Sequence, residues 1–387
     1  MPKTKVLIFY TAVGQGHKSI AENIGFYFAQ LGFEVKLENI LEVEAGWFVK
    51  FNERLYTFVI DKLPWVWNFL YQTPLLHVLR GLRLPLAALK HPARALNLIQ
   101  SFNPDIIITT QTVASAAAAL IKKRKPYQKL FGIAFSDFHM HKFWLYDQAD
   151  FYLVNIAEQK TQMMALGIDG SKIFICGMTL KPKPPADQFE IKDRLRIDRG
   201  VKVILMASGS MGTGINANSL VFLAKGVLNE LTQKQAKGQI IIVCGKNKQL
   251  YEELKSFRLP NVIIFPFYQT MPELYAIADI FITKPGGLSV AESLSYELPI
   301  LITHWLPGQE DLNIEYLTKR NLIMPVASRR INPAWVIRAA VEELLTAQFR
   351  KQLQKNSNLV EVIDTKEAGR RVKFAINQII TSQFDKS

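Results

Sequence analysis

Short apolar runs recur along this chain at 6–10, 35–40, 106–109, 130–135 and 151–154, and again at 203–207, 240–244, 262–265, 280–283 and 300–303. Stretches with helical spacing separate them. Strands that are apolar throughout belong to parallel sheets covered on both faces. Parallel neighbours need crossovers, and helices supply them. Two sets of this kind predict an α/β chain of two doubly wound domains. A chain of 387 residues also exceeds what one core ordinarily serves. The break falls at 179–185, where Pro182, Pro184 and Pro185 bar helix and stiffen the chain. The expected parts are an N-terminal domain at 1–178, a linker at 179–189, a C-terminal domain at 190–365 and an amphipathic helix within 366–387.

The richest local signal follows the run at 280–283. Lys284-Pro-Gly-Gly287 leads into a helix expected from Leu288, which carries Ser289 and Glu292. Gly286 and Gly287 allow close approach of a ligand to the backbone, and a helix N-terminus offers unpaired N–H groups with partial positive charge. A phosphate suits that place. Glu292, about one turn on, can accept both hydroxyls of a ribose, as acidic residues do in dinucleotide folds. Two more segments belong to the same region, because ligands of open α/β sheets sit outside the carboxyl ends of strands. One is the loop Ser208-Gly209-Ser210 after the run at 203–207, ahead of a helix from about Asn218; it lacks the Walker spacing. The other follows the run at 300–303 and holds Gln309, Glu310 and Asn313, residue types that hydrogen-bond sugar hydroxyls. A bare strand-to-helix turn and a solvated helix cap would give the same local patterns.

At the other end, the run at 6–10 ends in Gly14-Gln15-Gly16-His17, with helix expected from about Lys18. A helix N-terminus disfavours an imidazolium, so His17 is expected to be neutral near pH 7 and able to accept a proton. A histidine that merely caps the loop is the alternative. Asp137, at the end of the run at 130–135, is a rival base. His139 and His141 lie just beyond it, but the spacing makes no closed metal site, and no metal is expected.

Composition narrows the classes. Cys176 and Cys244 are the only cysteines, both in apolar runs, so buried reduced thiols and a cytosolic compartment are expected. The start of the chain does not read as a signal peptide, and no run of about 18 uncharged apolar residues exists. A net charge of +14 favours anionic partners. No helix-turn-helix, RNA-binding or zinc pattern is visible, so nucleic acid is not expected. From Trp47 to Ile99, aromatics such as Trp65 and Trp67 mix with Lys50, Arg54, Lys62, Arg80, Arg83, Lys90 and Arg94 against Glu53 and Asp61. That mixture suits an anionic membrane interface, or a helical insert with a core of aromatics.

Together these segments resemble the family-28 glycosyltransferases of GT-B fold, in particular the bacterial processive diacylglycerol glucosyltransferases and the plant-type monogalactosyldiacylglycerol synthases. Pattern is also shared with the peptidoglycan enzyme that adds N-acetylglucosamine to lipid I. Residues 14–17, 102–110, 136–144, the Gly286, Gly287 and Glu292 set, and Pro307-Gly308-Gln309-Glu310 follow the family's order. The resemblance implies two Rossmann-like domains facing across a cleft, closure about the linker, and a C-terminal helix returning to the first domain. It implies inverting, metal-independent transfer of glucose or galactose, without a cofactor, from UDP-glucose or UDP-galactose to a membrane lipid hydroxyl, chiefly that of diacylglycerol. By the same resemblance Phe267 and Tyr268 lie at the uracil and Glu292 on the ribose. Ser208, Gly209, Ser210, Gly286, Gly287, Leu288 and Ser289 bind the diphosphate, and Gln309, Glu310 and Asn313 lie toward the sugar. His17 or Asp137 is the base, within the loop that Gly14 and Gly16 shape. The expected place is the cytoplasm, peripheral on the inner face of the cell membrane. Two departures sit on the acceptor side: Gln15 interrupts the usual glycine pair, and Ser136-Asp137 stands where Thr-Asp is more usual. Another acceptor, a UDP-sugar epimerase on the same architecture, and a silent lipid or nucleotide-sugar binder are the alternatives.

Overall fold

The computed structural model describes residues 3–11, 15–40, 63, 65, 93–124, 129–212, 214–305, 308–325, 333–346, 348–356, 363 and 365–384. Most of the aromatic and basic stretch at 47–99 therefore lies outside the described residues, as do Gly14 and Pro307. The chain forms two compact units, Met1–Lys181 with Asp364–Ser387, and Pro182–Ile363.

The first unit holds strands β1 (Lys5–Tyr10), β2 (Glu34–Asn39), β3 (Ile106–Thr109), β4 (Leu130–Ala134), β5 (Phe151–Val154) and β6 (Ile173–Ile175). They form one parallel sheet in the order β2-β1-β3-β4-β5-β6. Helices α1 (Gln15–Gln30), α2 (Ala93–Phe102), α3 (Thr112–Arg124) and α4 (Ala157–Ala165) alternate with the strands. The chain runs outward from β1 to β2, then returns to β3 on the other side of β1, so β1 and β3 flank the switch point. Helix α1 starts at Gln15, three residues before the sequence-based expectation. Glycine opposes helix in an interior, yet the first turn has no intrahelical N–H bonds to lose, so Gly16 is tolerated there. The inner face of α1 also holds the exit of the unit, with Asn23 Nδ2 donating to the Thr179 carbonyl at 2.7 Å and the Tyr27 hydroxyl to the Leu180 carbonyl at 2.6 Å. The C-terminal helix, Thr365–Phe384, packs on α1, and a Cβ at Gly369 would strike the Tyr27 ring.

The second unit holds β7 (Lys202–Ala207), β8 (Gly238–Val243), β9 (Val262–Phe265), β10 (Ile280–Thr283), β11 (Ile300–Ile302) and β12 (Met324–Pro325), in the parallel order β12-β11-β10-β7-β8-β9. Its helices are α5 (Gln188–Arg194), α6 (Ala217–Gln233), α7 (Lys248–Ser256), α8 (Met271–Ile277), α9 (Gly287–Ser295), α10 (Gln309–Lys319), α11 (Pro333–Thr346) and α12 (Gln348–Lys355). The switch point lies between β7 and β10. Alternate residues of the strands enter two separate cores. Ile204, Met206, Ile240, Ile242, Ile280 and Ile282 join one, and Val203, Leu205, Ile241, Val243 and Phe281 join the other. Burial on both faces is the physical reason these strands are apolar throughout. Strand β12, two residues ending in proline, is too short for such a pattern and was not anticipated.

One device recurs in both units. Asp105, Asp150 and Asp279 each precede a strand, and each carboxylate accepts the N–H of a neighbouring strand residue: Lys5 (2.8 Å), Phe131 (2.7 Å) and Val203 (2.9 Å). Each is also paired with a lysine, Lys129, Lys122 and Lys202. The N–H of each aspartate returns to the carbonyl of the same partner residue at 2.8 Å. These clamps close the amino ends of the sheets, leaving the carboxyl ends to the loops.

Candidate active site

In the second unit, the loops after β7 and β10 flank the switch point. Ser208 is buried, and Gly209 adopts φ +72°. The backbone conformation favours glycine, and a Cβ there would lie 2.8 Å from the Lys284 Cε and displace that side chain. Gly286 caps α9, which begins at Gly287, one residue before the expected Leu288. A Cβ at Gly286 would meet no protein atom within 4 Å, so the fold's own packing does not demand glycine there. Ser289 stands in the first turn of α9, and buried Leu288 roots that turn in the core.

The segment after β11 closes on the same region. Lys284 Nζ donates to Glu310 Oε1 at 2.8 Å, and Glu310 is buried. Asn313, fully buried, donates from Nδ2 to the Pro285 carbonyl at 3.0 Å, fixing the glycine turn. Asp311 caps α10 by accepting the Gly308 N–H at 2.7 Å and the Trp305 indole N–H at 2.6 Å. Gln309 is the first residue of α10, and its side chain lies outside the described residues. Sequence reasoning quoted Lys284 and gave it no role; its link to Glu310 spans 26 positions and leaves no local signal.

Glu292 lies in the second turn of α9. Burial of its carboxyl pushes its pKa up to about 7. Its charge is felt by Tyr275 and Tyr296, whose hydroxyls are raised above the ordinary tyrosine value, first by burial and then by Glu292. The Tyr296 hydroxyl is buried and has no hydrogen-bond partner among the described residues. Beyond β9, Phe267 is 44% exposed. Tyr268 is held by its hydroxyl's 2.9 Å bond to Glu273 Oε2, which also takes Arg194 Nη2 at 2.6 Å and Thr270 Oγ1 at 3.1 Å. The loop that presents these two aromatics is thus tied to α5 and α8.

In the first unit, Gly16 and His17 occupy the first turn of α1, at the β1 side of its switch point. Thr110, just after β3, donates from Oγ1 to the His17 carbonyl at 2.9 Å. The His17 ring lies between Ser136 and Trp144: Ser136 Oγ is 3.4 Å from Nδ1, and the Trp144 ring centroid is 5.9 Å away. Burial lowers the His17 pKa below the usual histidine value; the Asp137 carboxylate and a hydrogen bond with Thr110 oppose this without overcoming it. The lowered value favours the neutral imidazole at pH 7, and its cause is burial. Ser136 Oγ also reaches Asp137 Oδ2 at 3.5 Å, so His17, Ser136 and Asp137 form one polar group. Among the described residues no three His, Cys, Asp or Glu side chains cluster as metal ligands. Cys176 and Cys244 are buried free thiols, each pushed up to about 12 by burial.

Two family models match this chain in sequence. Residues 17–180 match monogalactosyldiacylglycerol (MGDG) synthase, and residues 203–368 match the glycosyltransferase family 28 C-terminal domain. With a glycosyltransferase model matched in each half, the chain is a glycosyltransferase, similar to the family-28 enzymes. A Bacillus subtilis relative named uncharacterized glycosyltransferase YkoN is 28% identical over 74% of this chain and 73% of its own length. A processive diacylglycerol beta-glucosyltransferase of Bacillus cereus is 26% identical over 82% of this chain and 80% of its own. In three dimensions the chain is similar to the UDP-GlcNAc 2-epimerase of Neisseria meningitidis bound to UDP-GlcNAc, with a TM-score of 0.60 at 12% identity over 98% of this chain and 100% of the epimerase. Likeness at that identity establishes the fold, two parallel-sheet α/β domains of GT-B type.

Proposed function

We propose that this glycosyltransferase transfers glucose or galactose from UDP-glucose or UDP-galactose to a membrane lipid hydroxyl, that of diacylglycerol, with inversion at the anomeric carbon. The observation that carries the reading is the meeting of the Ser208–Ser210 loop, the Gly286–Gly287 turn and Glu310 at the β7/β10 switch point, where open α/β sheets hold nucleotides. The diphosphate lies against the N–H groups of Gly209, Ser210, Gly287, Leu288 and Ser289, so the side chain missing from Gly286 leaves room for it. Glu292 accepts the ribose hydroxyls, Phe267 and Tyr268 flank the base, and Gln309 and Glu310 hold the sugar.

The first unit supplies the base. A neutral His17 takes the acceptor hydroxyl proton as that oxygen bonds to C1. The bond from C1 to the diphosphate oxygen breaks, and its electron pair leaves with UDP. Asp137 stabilises the imidazolium so formed. Charge growing on the leaving diphosphate falls on the α9 N-terminus and on Lys284. The aromatic and basic stretch at 47–99 brings the chain to an anionic membrane surface; Trp65, the tryptophan there that is described, is 69% exposed. The relatives' names support a diacylglycerol acceptor. The test incubates the protein with each UDP-sugar and phosphatidylglycerol vesicles, with and without dioleoylglycerol. Diacylglycerol-dependent UDP release with a new glycolipid is expected. UDP release or sugar isomerisation indifferent to diacylglycerol would contradict the proposal and favour an epimerase or another acceptor.

A further inference from the structure

Asn155 and Gln159 are 4% and 0% exposed and take no part in the chemistry above. Buried amides are costly unless their groups are paired, so the destination of their hydrogen bonds is informative. Gln159 Oε1 accepts the N–H groups of Asn155 (2.7 Å) and Ile156 (3.2 Å), closing the start of α4. Its Nε2 donates to the carbonyls of Asp137 (3.0 Å) and His139 (2.7 Å). Asn155 Nδ2 donates to the carbonyls of Phe135 (3.2 Å) and Asp137 (2.8 Å). Two buried amides thus grip three alternate carbonyls, 135, 137 and 139, and the carbonyl of Asp137 takes two donors. The ladder between β4 and β5 ends with the Phe135 N–H on the Leu153 carbonyl at 3.1 Å, and the amides carry the attachment onward from there.

We propose that Asn155 and Gln159 are positioning residues, holding the turn at 136–139 so that the Asp137 carboxylate faces His17. The proposal rests on the acid–base reading above and deepens it. A staple that only adds stability would lower the melting temperature and leave the His17–Asp137 interaction alone. A positioning pair must change that interaction. Among the described residues, Asp137 is the charge that acts on His17, and it raises the ring's proton affinity. Loosening the turn therefore moves the His17 titration to lower pH.

The test uses full-length Gln159→Met, which keeps an unbranched side chain of similar length and removes the amide. The His17 imidazole is titrated by NMR, its signal assigned by its loss in His17→Ala. UDP binding is followed by calorimetry, and turnover with UDP-glucose or UDP-galactose on dioleoylglycerol in phosphatidylglycerol vesicles. The expected result is a His17 titration at lower pH, turnover reduced about 10- to 100-fold, and unchanged UDP affinity. A folded Gln159→Met protein with wild-type titration and turnover would overturn the proposal. Should Gln159→Met not fold, Asn155→Ser, which shortens the other donor, decides by the same two readouts. His17→Ala and Asp137→Asn separate the failures. If both turn over at the wild-type rate, the acid–base reading falls and the positioning role with it; if both are inactive while Gln159→Met is unaffected, the positioning role alone falls.

Discussion

On the proposed function, two side chains set the pH behaviour, His17 in the first unit and Glu292 in the second. His17→Ala is expected to cut turnover about 10²- to 10⁴-fold while UDP binding persists, because the proposed base and the proposed nucleotide site belong to different sheets. Calorimetry beside a turnover assay checks this. Glu292 gives a prediction with two signs. Its carboxyl, raised by burial from the ordinary 4.5 to about 7, must be ionised to accept ribose hydroxyls as proposed. UDP affinity should therefore fall as pH drops below about 7, toward a limit of about tenfold per pH unit. Without nucleotide the same shift acts the other way. A carboxyl whose folded pKa lies above its unfolded value destabilises when ionised, so the penalty is full above about 7 and gone below 4.5. Melting temperatures at pH 7.5 and 6, with and without UDP, read both signs, and Glu292→Gln should weaken UDP binding and flatten its pH profile. His17, Asp137 and Glu292 were legible as candidates because each lies just beyond an apolar strand and falls in a segment that resembles the family. Lys284, Thr110, Asn155 and Gln159 were not, since their partners lie 26, 93, 18 to 20 and 20 to 22 positions away along the chain.

The elements are governed by burial at one end of each sheet and by loop geometry at the other. Asp279→Ala removes the acceptor for the Val203 N–H and the partner of Lys202, at the closed amino end of β7 and β10. It should cost about 1–3 kcal/mol, read as a lower urea midpoint, whereas Glu252→Ala on an exposed face of α7 should stay within about 0.5 kcal/mol. Gly209→Val tests the other end. A β-branched residue at φ +72° is strained, and its Cβ displaces Lys284, so UDP affinity should fall at least about tenfold with stability lowered by about 1–2 kcal/mol. The central strands β1, β3, β7 and β10 could be read nearly to the residue because their residues are buried almost throughout. The start of α1 could not, because Gly14-Gln15-Gly16 reads as loop by propensity, and a helix terminus does not enforce that propensity.

At the scale of the whole molecule, net charge and chemistry belong together. A charge of +14 predicts that the protein sediments with phosphatidylglycerol vesicles, less so with phosphatidylcholine, and is released by about 0.5 M salt. Among the described residues no helix is long and apolar enough to cross a membrane. The doubled α/β architecture was legible in the two sets of apolar runs; the orders of the strands within each sheet were not, because periodicity carries no information on which strands are neighbours. Those orders are what place the His17 turn at one switch point and the glycine turns at the other. The most direct measurement is transfer of radiolabel from UDP-[¹⁴C]glucose and UDP-[¹⁴C]galactose into the organic phase of dioleoylglycerol vesicles, run on the full chain and on His17→Ala. The account predicts a labelled glycolipid from one of the two donors with the full chain, and label left in the aqueous phase with His17→Ala. Equal labelling by both proteins, or UDP release with no labelled lipid from either donor, would contradict it.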